Sequence, residues 1–187
     1  DMGSILQDTL VQQRPLNAVT FVDNHDTQPG QALQSFVDGW FKPLAYALIL
    51  LRQDGLPCVF YGDLYGIPHD DIPPVDGLRR LIKLREAYAY GSQTDYLDDH
   101  DVIGWTRSGD AGHPQSGLAV LMSDGPGGQK SMHVDAAQAD QTFVDALGSQ
   151  SQEVTLDANG DGVFTCDGGS VSVWVRKEAA AQIRKIR

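Results

Sequence analysis

The first ninety residues alternate between two hydrophobic periods. Ala18-Val19-Thr20-Phe21-Val22 is a β-branched run ending in a polar cluster, the pattern of a buried strand. Trp40, Leu44, Leu48 and Leu51 then recur at one-turn spacing, with Ala45, Ala47, Ile49 and Leu50 on the other faces. A helix apolar nearly all round packs between neighbours. Gly55 ends it, and Leu56 to Tyr61 predicts a second short buried strand. Gly62 to Pro74 reads as a polar loop, with Asp76 as the N-cap of a further helix. Leu78, Leu81, Ile82 and Arg85 mark one face of that helix. The order β–α–β–α, with strands apolar on both faces, is that of a parallel sheet covered by helices.

The period changes near Gly91. From there the chain predicts short strands separated by turns: Val102 to Arg107, Gly117 to Ser123, Ser131 to Val134, Thr142 to Val144, Val154 to Leu156, Val163 to Cys166 and Ser170 to Val175. In the last, Val171, Val173 and Val175 alternate with Ser170, Ser172 and Trp174, which predicts one buried face. Strands at this spacing suggest an antiparallel sandwich. The tail, Lys177 to Arg187, is Ala-rich and basic and reads as a frayed or disordered end. The resulting division is 1–91, 92–176 and a tail at 177–187.

Composition narrows the function classes. The 187 residues carry a formal net charge of −11. Such a surface repels nucleic acid and suits neutral substrates or a divalent cation. No stretch is long and apolar enough to span a membrane, and no signal peptide opens the chain. Cys58 and Cys166 form no metal or redox motif, and Cys58 reads as a small buried hydrophobe.

Four polar segments are candidates for chemistry. Asp23-Asn24-His25-Asp26-Thr27 directly follows a predicted buried strand, and parallel-sheet enzymes gather reactive groups at such strand ends. A polar turn capping the strand is the plain alternative. Asp157-Ala158-Asn159-Gly160-Asp161-Gly162 opens like an EF-hand loop, but Gly168 stands where the bidentate Glu is required, so it reads as a hairpin turn. Gly125 to Ser131 resembles a phosphate loop, but Gln129 replaces the needed glycine, so it too reads as a hairpin loop. Asp98-Asp99-His100-Asp101, with Asp124, offers hard oxygen ligands for calcium, or is a solvated acidic loop.

AVTFVDNHDTQPGQ (Ala18 to Gln31) is similar to the last conserved block of bacterial liquefying-type α-amylases. WFKPLAYALIL, VFYGDLYG (Val59 to Gly66), DYLDDHDVIGWTR (Asp95 to Arg107), DGPGGQK (Asp124 to Lys130) and GGSVSVWV (Gly168 to Val175) fit the same family in order. The resemblance runs from about Leu10 to Val175. It implies the last quarter of a (β/α)8 barrel, its seventh and eighth strand–helix units, followed by a C-terminal antiparallel Greek-key β-sandwich.

The implied chemistry is retaining hydrolysis of α-1,4-glucosidic bonds in starch or maltooligosaccharides, which needs a nucleophile and a proton donor. In the family both lie on barrel strands ahead of the matched block, and neither has a counterpart between Asp1 and Asn17. Asp26 matches the third family carboxylate, a transition-state stabiliser; His25 matches the histidine that binds the same sugar, and Asn24 orients the pair. Asp101, Asp124 and the His100 region match the sandwich-side ligands of a structural calcium. The chain is thus expected to be inactive alone, with exposed barrel strands that favour self-association. A glucan-binding module stacking sugars on Trp105 and Trp174 is a competing function, although both read more simply as core. A calcium-stabilised structural fragment is another. The family has secreted and cytoplasmic members, and secretion is the favoured expectation.

Overall fold

The computed structural model describes residues 1–186. A short helical turn, α1 (Leu10–Gln13), starts where the Thr9 hydroxyl accepts the Gln12 amide. Strand β1 (Val19–Phe21) follows, and a long loop leads to helix α2 (Lys42–Leu51). Strand β2 (Leu56–Cys58) then lies parallel to β1, with Val19 opposite Leu56 and Phe21 opposite Cys58. Gly55 makes the return: its φ is +87°, and a Cβ there would sit 2.8 Å from the Thr20 side chain. Helices α3 (Tyr61–Tyr65) and α4 (Leu78–Tyr88) complete this half, and α4 packs on α2. The order strand, helix, strand, helix is the expected one, with α3 added inside the polar loop.

Several local expectations fail for physical reasons. The two strands are not buried: Val19, Phe21 and Leu56 are 62%, 50% and 57% exposed. Alternate residues of a strand share a face, and α2 covers only the face of this two-stranded sheet that carries Thr20 and Pro57. Cys58 shares the uncovered face and is exposed, so it is no buried hydrophobe. Trp40 lies ahead of α2, whose first turn is set by Pro43. Asp76 does not cap α4; Gly77, at φ +73°, holds the N-cap position without a side-chain bond.

The second half is mostly β. Strands β3 (Gln93–Tyr96), β4 (Val102–Arg107), β5 (Leu118–Ser123), β6 (Gly127–His133), β7 (Thr142–Asp145), β8 (Glu153–Thr155), β9 (Asp161–Asp167) and β10 (Ser170–Arg176) form two antiparallel sheets. Six strands run in the order β3-β4-β5-β10-β7-β8, and β6 with β9 makes a separate ribbon. β3 was not anticipated because Gln93-Thr94-Asp95-Tyr96 is polar and lacks a hydrophobic signal.

The inner strands of the six-stranded sheet, β4, β5, β10 and β7, are buried on both faces. One face carries Ile103, Trp105, Val120, Met122, Val171, Val173 and Val175 against α2 and α4, sharing a single core with Leu44, Leu50, Leu81 and Leu84. The other carries Leu121, Phe143 and Trp174 against Met132 and Phe164 of the ribbon. The one-face expectation for β10 is therefore corrected. Ser172 is fully buried beside Trp174, donating to the Thr165 carbonyl at 2.7 Å and accepting the indole N–H of Trp174 at 2.9 Å. Trp105 and Trp174 are both fully buried, so neither can stack on a sugar.

The two segments read as hairpin loops are corners between sheets. Gly125 to Gly127 carries the chain from β5 in the large sheet to β6 in the ribbon, and Asp157 to Gly160 carries it from β8 to β9. Asp157 Oδ1 accepts the Asn159 and Asp161 amides, which shapes the corner. The tail is a packed helix, α5 (Lys177–Ile183), with Ala179, Ala180 and Ile183 buried against the sheet, not a frayed end. Among the described residues no helix is long and apolar enough to cross a membrane.

The two thiols differ sharply. Burial pushes the Cys166 thiol up to about 11, whereas Cys58 is exposed. Titration of the native chain with a disulfide reagent at mildly alkaline pH is expected to modify Cys58 rapidly. Cys166 is expected to react only after denaturation; rapid modification of both thiols would contradict this packing.

Candidate functional site

The site is built at the end of β1 from the bottom of its loop upward. Asp23 is fully buried, and one of its oxygens accepts the Thr27 hydroxyl and the Val37 amide, each at 3.2 Å. Its other oxygen lies 2.9 Å from Lys42 Nζ. That approach lacks hydrogen-bond alignment, so the contact is ionic rather than a directed bond. Lys42 Nζ also donates to Asp63 Oδ1 at 2.5 Å, and Tyr46 donates its hydroxyl to Asp63 Oδ2 at 2.6 Å. The Phe36 ring lies 3.2 Å from Lys42 Nζ, a cation–π contact. Burial, then the bond to Asp63, drives the Tyr46 hydroxyl far above its ordinary range, so it stays a neutral donor.

This network joins the loop after β1, the first turn of α2 and helix α3. Two buried carboxylates face one buried ammonium, a mixture tolerated only because every partner is in place. The sequence reading marked Asp23 but missed Lys42, Tyr46 and Asp63. The available signal was a lysine inside the otherwise apolar run Trp40-Phe41-Lys42-Pro43-Leu44.

Above this base, Asn24 shapes the loop. Its side-chain oxygen accepts the amides of Asp26 at 2.9 Å and Thr27 at 3.1 Å, an Asx turn. Its own amide donates to the Thr27 hydroxyl. The turn lifts His25 and Asp26 into solvent, where His25 Nε2 lies 3.5 Å from Asp26 Oδ1 and both side chains are mostly exposed. The structure therefore brings together Asn24, His25 and Asp26, with Asn24 holding the backbone of the other two. An exposed imidazole–carboxylate pair on a stiff loop can accept and donate hydrogen bonds to polyhydroxyl ligands.

The acidic loop behaves differently. Asp99 Oδ1 accepts the Asp101 and Val102 amides, and Asp98 pairs with Lys130 at 2.6 Å. The first of these interactions holds the Asp99 carboxyl below its ordinary range; the bond from Lys130 does the same for Asp98. Asp101 lies against Gly125 and is bound to the His100 ring at 2.7 Å. Among the described residues no three His, Cys, Asp or Glu side chains converge as a metal site. Asp101, Asp124 and His100 thus do not fit calcium by themselves: the ion takes six to eight oxygens, and imidazole offers nitrogen.

Comparison with known proteins agrees with this architecture. Residues 118–175, the span from β5 to β10, match the family profile described as Alpha-amylase C-terminal. The chain is 56% identical over 179 residues to an α-amylase of Geobacillus stearothermophilus, covering 95% of this chain and 33% of that protein. It is 54% identical over 178 residues to a glucan 1,4-α-maltohexaosidase of a Bacillus strain, covering 95% of this chain and 34% of the relative. The crystal structure of the Geobacillus thermoleovorans α-amylase complexed with acarbose shares the fold at a TM-score of 0.55 and 17% identity, covering 86% of this chain and 39% of that one. The mostly β second half is consistent with an α-amylase C-terminal domain. The chain as a whole is homologous to the C-terminal portion of bacterial α-amylases, and it spans about one third of the length of the curated relatives it matches.

Replacing Lys42 with Met leaves Asp23 and Asp63 buried without a cation. Urea denaturation is expected to show a loss of about 3–5 kcal/mol, against about 1 kcal/mol for Asn24→Ala, which removes only turn bonds. A Lys42→Met variant as stable as the parent would contradict the network's role.

Proposed function

We propose that the longer protein containing this chain is an α-amylase-type glycoside hydrolase, cleaving α-1,4-glucosidic bonds of starch with retention. In this reading, residues 1–91 are the seventh and eighth units of a (β/α)8 barrel, and 92–176 form a Greek-key sandwich. The observation that carries the reading is the exposed His25–Asp26 pair at the C-terminal end of a parallel strand. The 95% coverage by α-amylase relatives supports it, as does the acarbose bound by one structural neighbour.

Each residue then has a defined task. Asp26 accepts hydrogen bonds from hydroxyls of the sugar at the cleaved bond, and its charge stabilises the oxocarbenium-like transition state. His25 donates to the same sugar. Asn24 fixes their separation through the turn. Asp23 is buried and ion-paired to Lys42, so it is unavailable as a proton donor. Calcium enters only as a property of the longer protein, where Asp101 and Asp124 would contribute two carboxylates to a ligand set completed elsewhere; no catalytic step runs through it.

The 187 residues alone are expected to release no reducing sugar from starch, because no nucleophile and acid pair accompanies Asp26. In the full-length enzyme, Asp26→Asn is expected to lower kcat roughly 10²–10³-fold with a smaller change in KM, since the carboxylate acts mainly on transition-state charge. Robust starch hydrolysis by the isolated chain, abolished by Asp26→Asn, would sink the division of labour.

The uncovered face of β1 and β2 generates a second expectation. Val19, Phe21 and Leu56 form an apolar strip on a sheet with open edges. Light scattering of the isolated chain is expected to show self-association that Phe21→Asp with Leu56→Asp reduces. A monodisperse monomer across the micromolar range would contradict it.

A further inference from the structure

A cleft of about 530 Å³ opens where the end of α2, helix α4 and strand β4 meet. Three arginines line it: Arg52, Arg85 and Arg107. This concentration of guanidinium groups stands out in a chain of net charge −11. Arg52 is already neutralised. It grips Asp95 with two bonds, at 2.6 and 2.9 Å, and lies 3.5 Å from Asp54.

Arg85 and Arg107 are not neutralised in this way. Arg85 donates one N–H to the Leu50 carbonyl at 2.6 Å. Arg107 donates two N–H groups to the Gly91 carbonyl, at 3.1 and 2.9 Å. Among the described residues neither forms a salt bridge. Glu86 also lines the cleft, but its carboxylate pairs with Lys83 on the outer face of α4. A guanidinium has five N–H donors, so several on each side chain remain for a ligand. Arg85 is half-buried and Arg107 is 7% exposed, and both line the cleft.

Burial pulls the guanidinium of Arg107 below its ordinary range; the neighbouring Arg85 and Arg52 add to this, and the Asp54 carboxylate partly opposes it. Burial does the same to Arg85. Two positive groups held together in a half-enclosed pocket repel each other, and an anion between them relieves that repulsion.

We propose that Arg85 and Arg107 form a binding site for a phosphate-class oxyanion, with the Arg52–Asp95 pair as its fixed wall. The planar donor forks match tetrahedral oxyanions, and the surrounding Ile82, Ala89 and Tyr90 lower the local dielectric. The anion bridges α4 to β4 and so ties the helical half to the sheet.

Isothermal titration of the 187-residue chain with inorganic phosphate, at constant ionic strength set by chloride, tests the site. Saturable one-site binding is expected, weakened at least about tenfold by Arg85→Gln and by Arg107→Lys. Arg80→Gln is the control. Arg80 also caps backbone carbonyls, those of Leu147 and Ile186, but lies outside the cleft; its loss is expected to leave phosphate binding unchanged. Should a cleft variant fail to fold, the guanidinium N–H resonances of Arg85 and Arg107 in the unaltered chain report directly, and both are expected to move on phosphate addition. Absence of saturable binding, binding that survives both cleft substitutions, or a titration that leaves both arginine resonances still would overturn the proposal.

Discussion

The ammonium of Lys42, held between Asp23 and Asp63, is the constraint on which the helical half depends. It joins three segments that share no backbone hydrogen-bond ladder: the loop after β1, the start of α2 and helix α3. A buried carboxylate needs a cation or donors, and both Asp23 and Asp63 draw on the same lysine. The geometry of one side chain therefore sets the position of the other two segments. Tyr46 follows one turn later on α2 and adds its hydroxyl to Asp63, which fixes the rotation of the helix as well as its end. Asp23 in turn anchors Thr27 and Val37, so the loop that presents His25 and Asp26 is stiff at its base and exposed only at its crest.

The second organising feature is a sheet covered on both faces. Antiparallel sheets often leave one face to solvent, with alternating apolar and polar residues. Here β4 and β5 are buried throughout, because helices α2 and α4 cover one side and the β6–β9 ribbon covers the other. The polar positions this traps are satisfied locally, as Ser172 shows by serving Thr165 and Trp174 at once. Arginines perform the same service at the join between the halves. Arg52 clamps Asp95 of β3, and Arg85 caps the Leu50 carbonyl at the end of α2. The helical half and the β-domain are thus parts of one hydrophobic core with a polar seam.

The relation to α-amylases gives this arrangement its context. The loop after β1 carries exposed polar groups over a buried ionic base, while the β-domain packs behind it and takes no direct part in presenting His25 or Asp26. The exposed loop and its support are separated along the chain, and buried side chains couple them.

Much was legible in the sequence. The βαβα order followed from hydrophobic period, which reflects how strands and helices distribute side chains around their axes. The loop Asp23 to Thr27 was recognisable because a polar cluster directly after a β-branched run marks a strand end, and its resemblance to a family block implies the roles proposed for Asn24, His25 and Asp26. Other features were beyond local pattern. Val19 and Phe21 look buried, yet burial depends on what covers a face, and α2 covers only one. Ser172 and Trp174 look half exposed, yet a ribbon formed by β6 and β9, which are distant in sequence, lies over them. Gly125 and Asn159-Gly160 announce turns, but whether a turn closes a hairpin or changes sheets is set by strand pairing at long range. Lys42, Asp63 and the arginine cleft came only from the tertiary structure, because an ion network is defined by distances between segments that sequence spacing does not measure. The sequence by itself determined which residues could face a core and which loop could bear chemistry; the fold decided which faces were covered and which charges met.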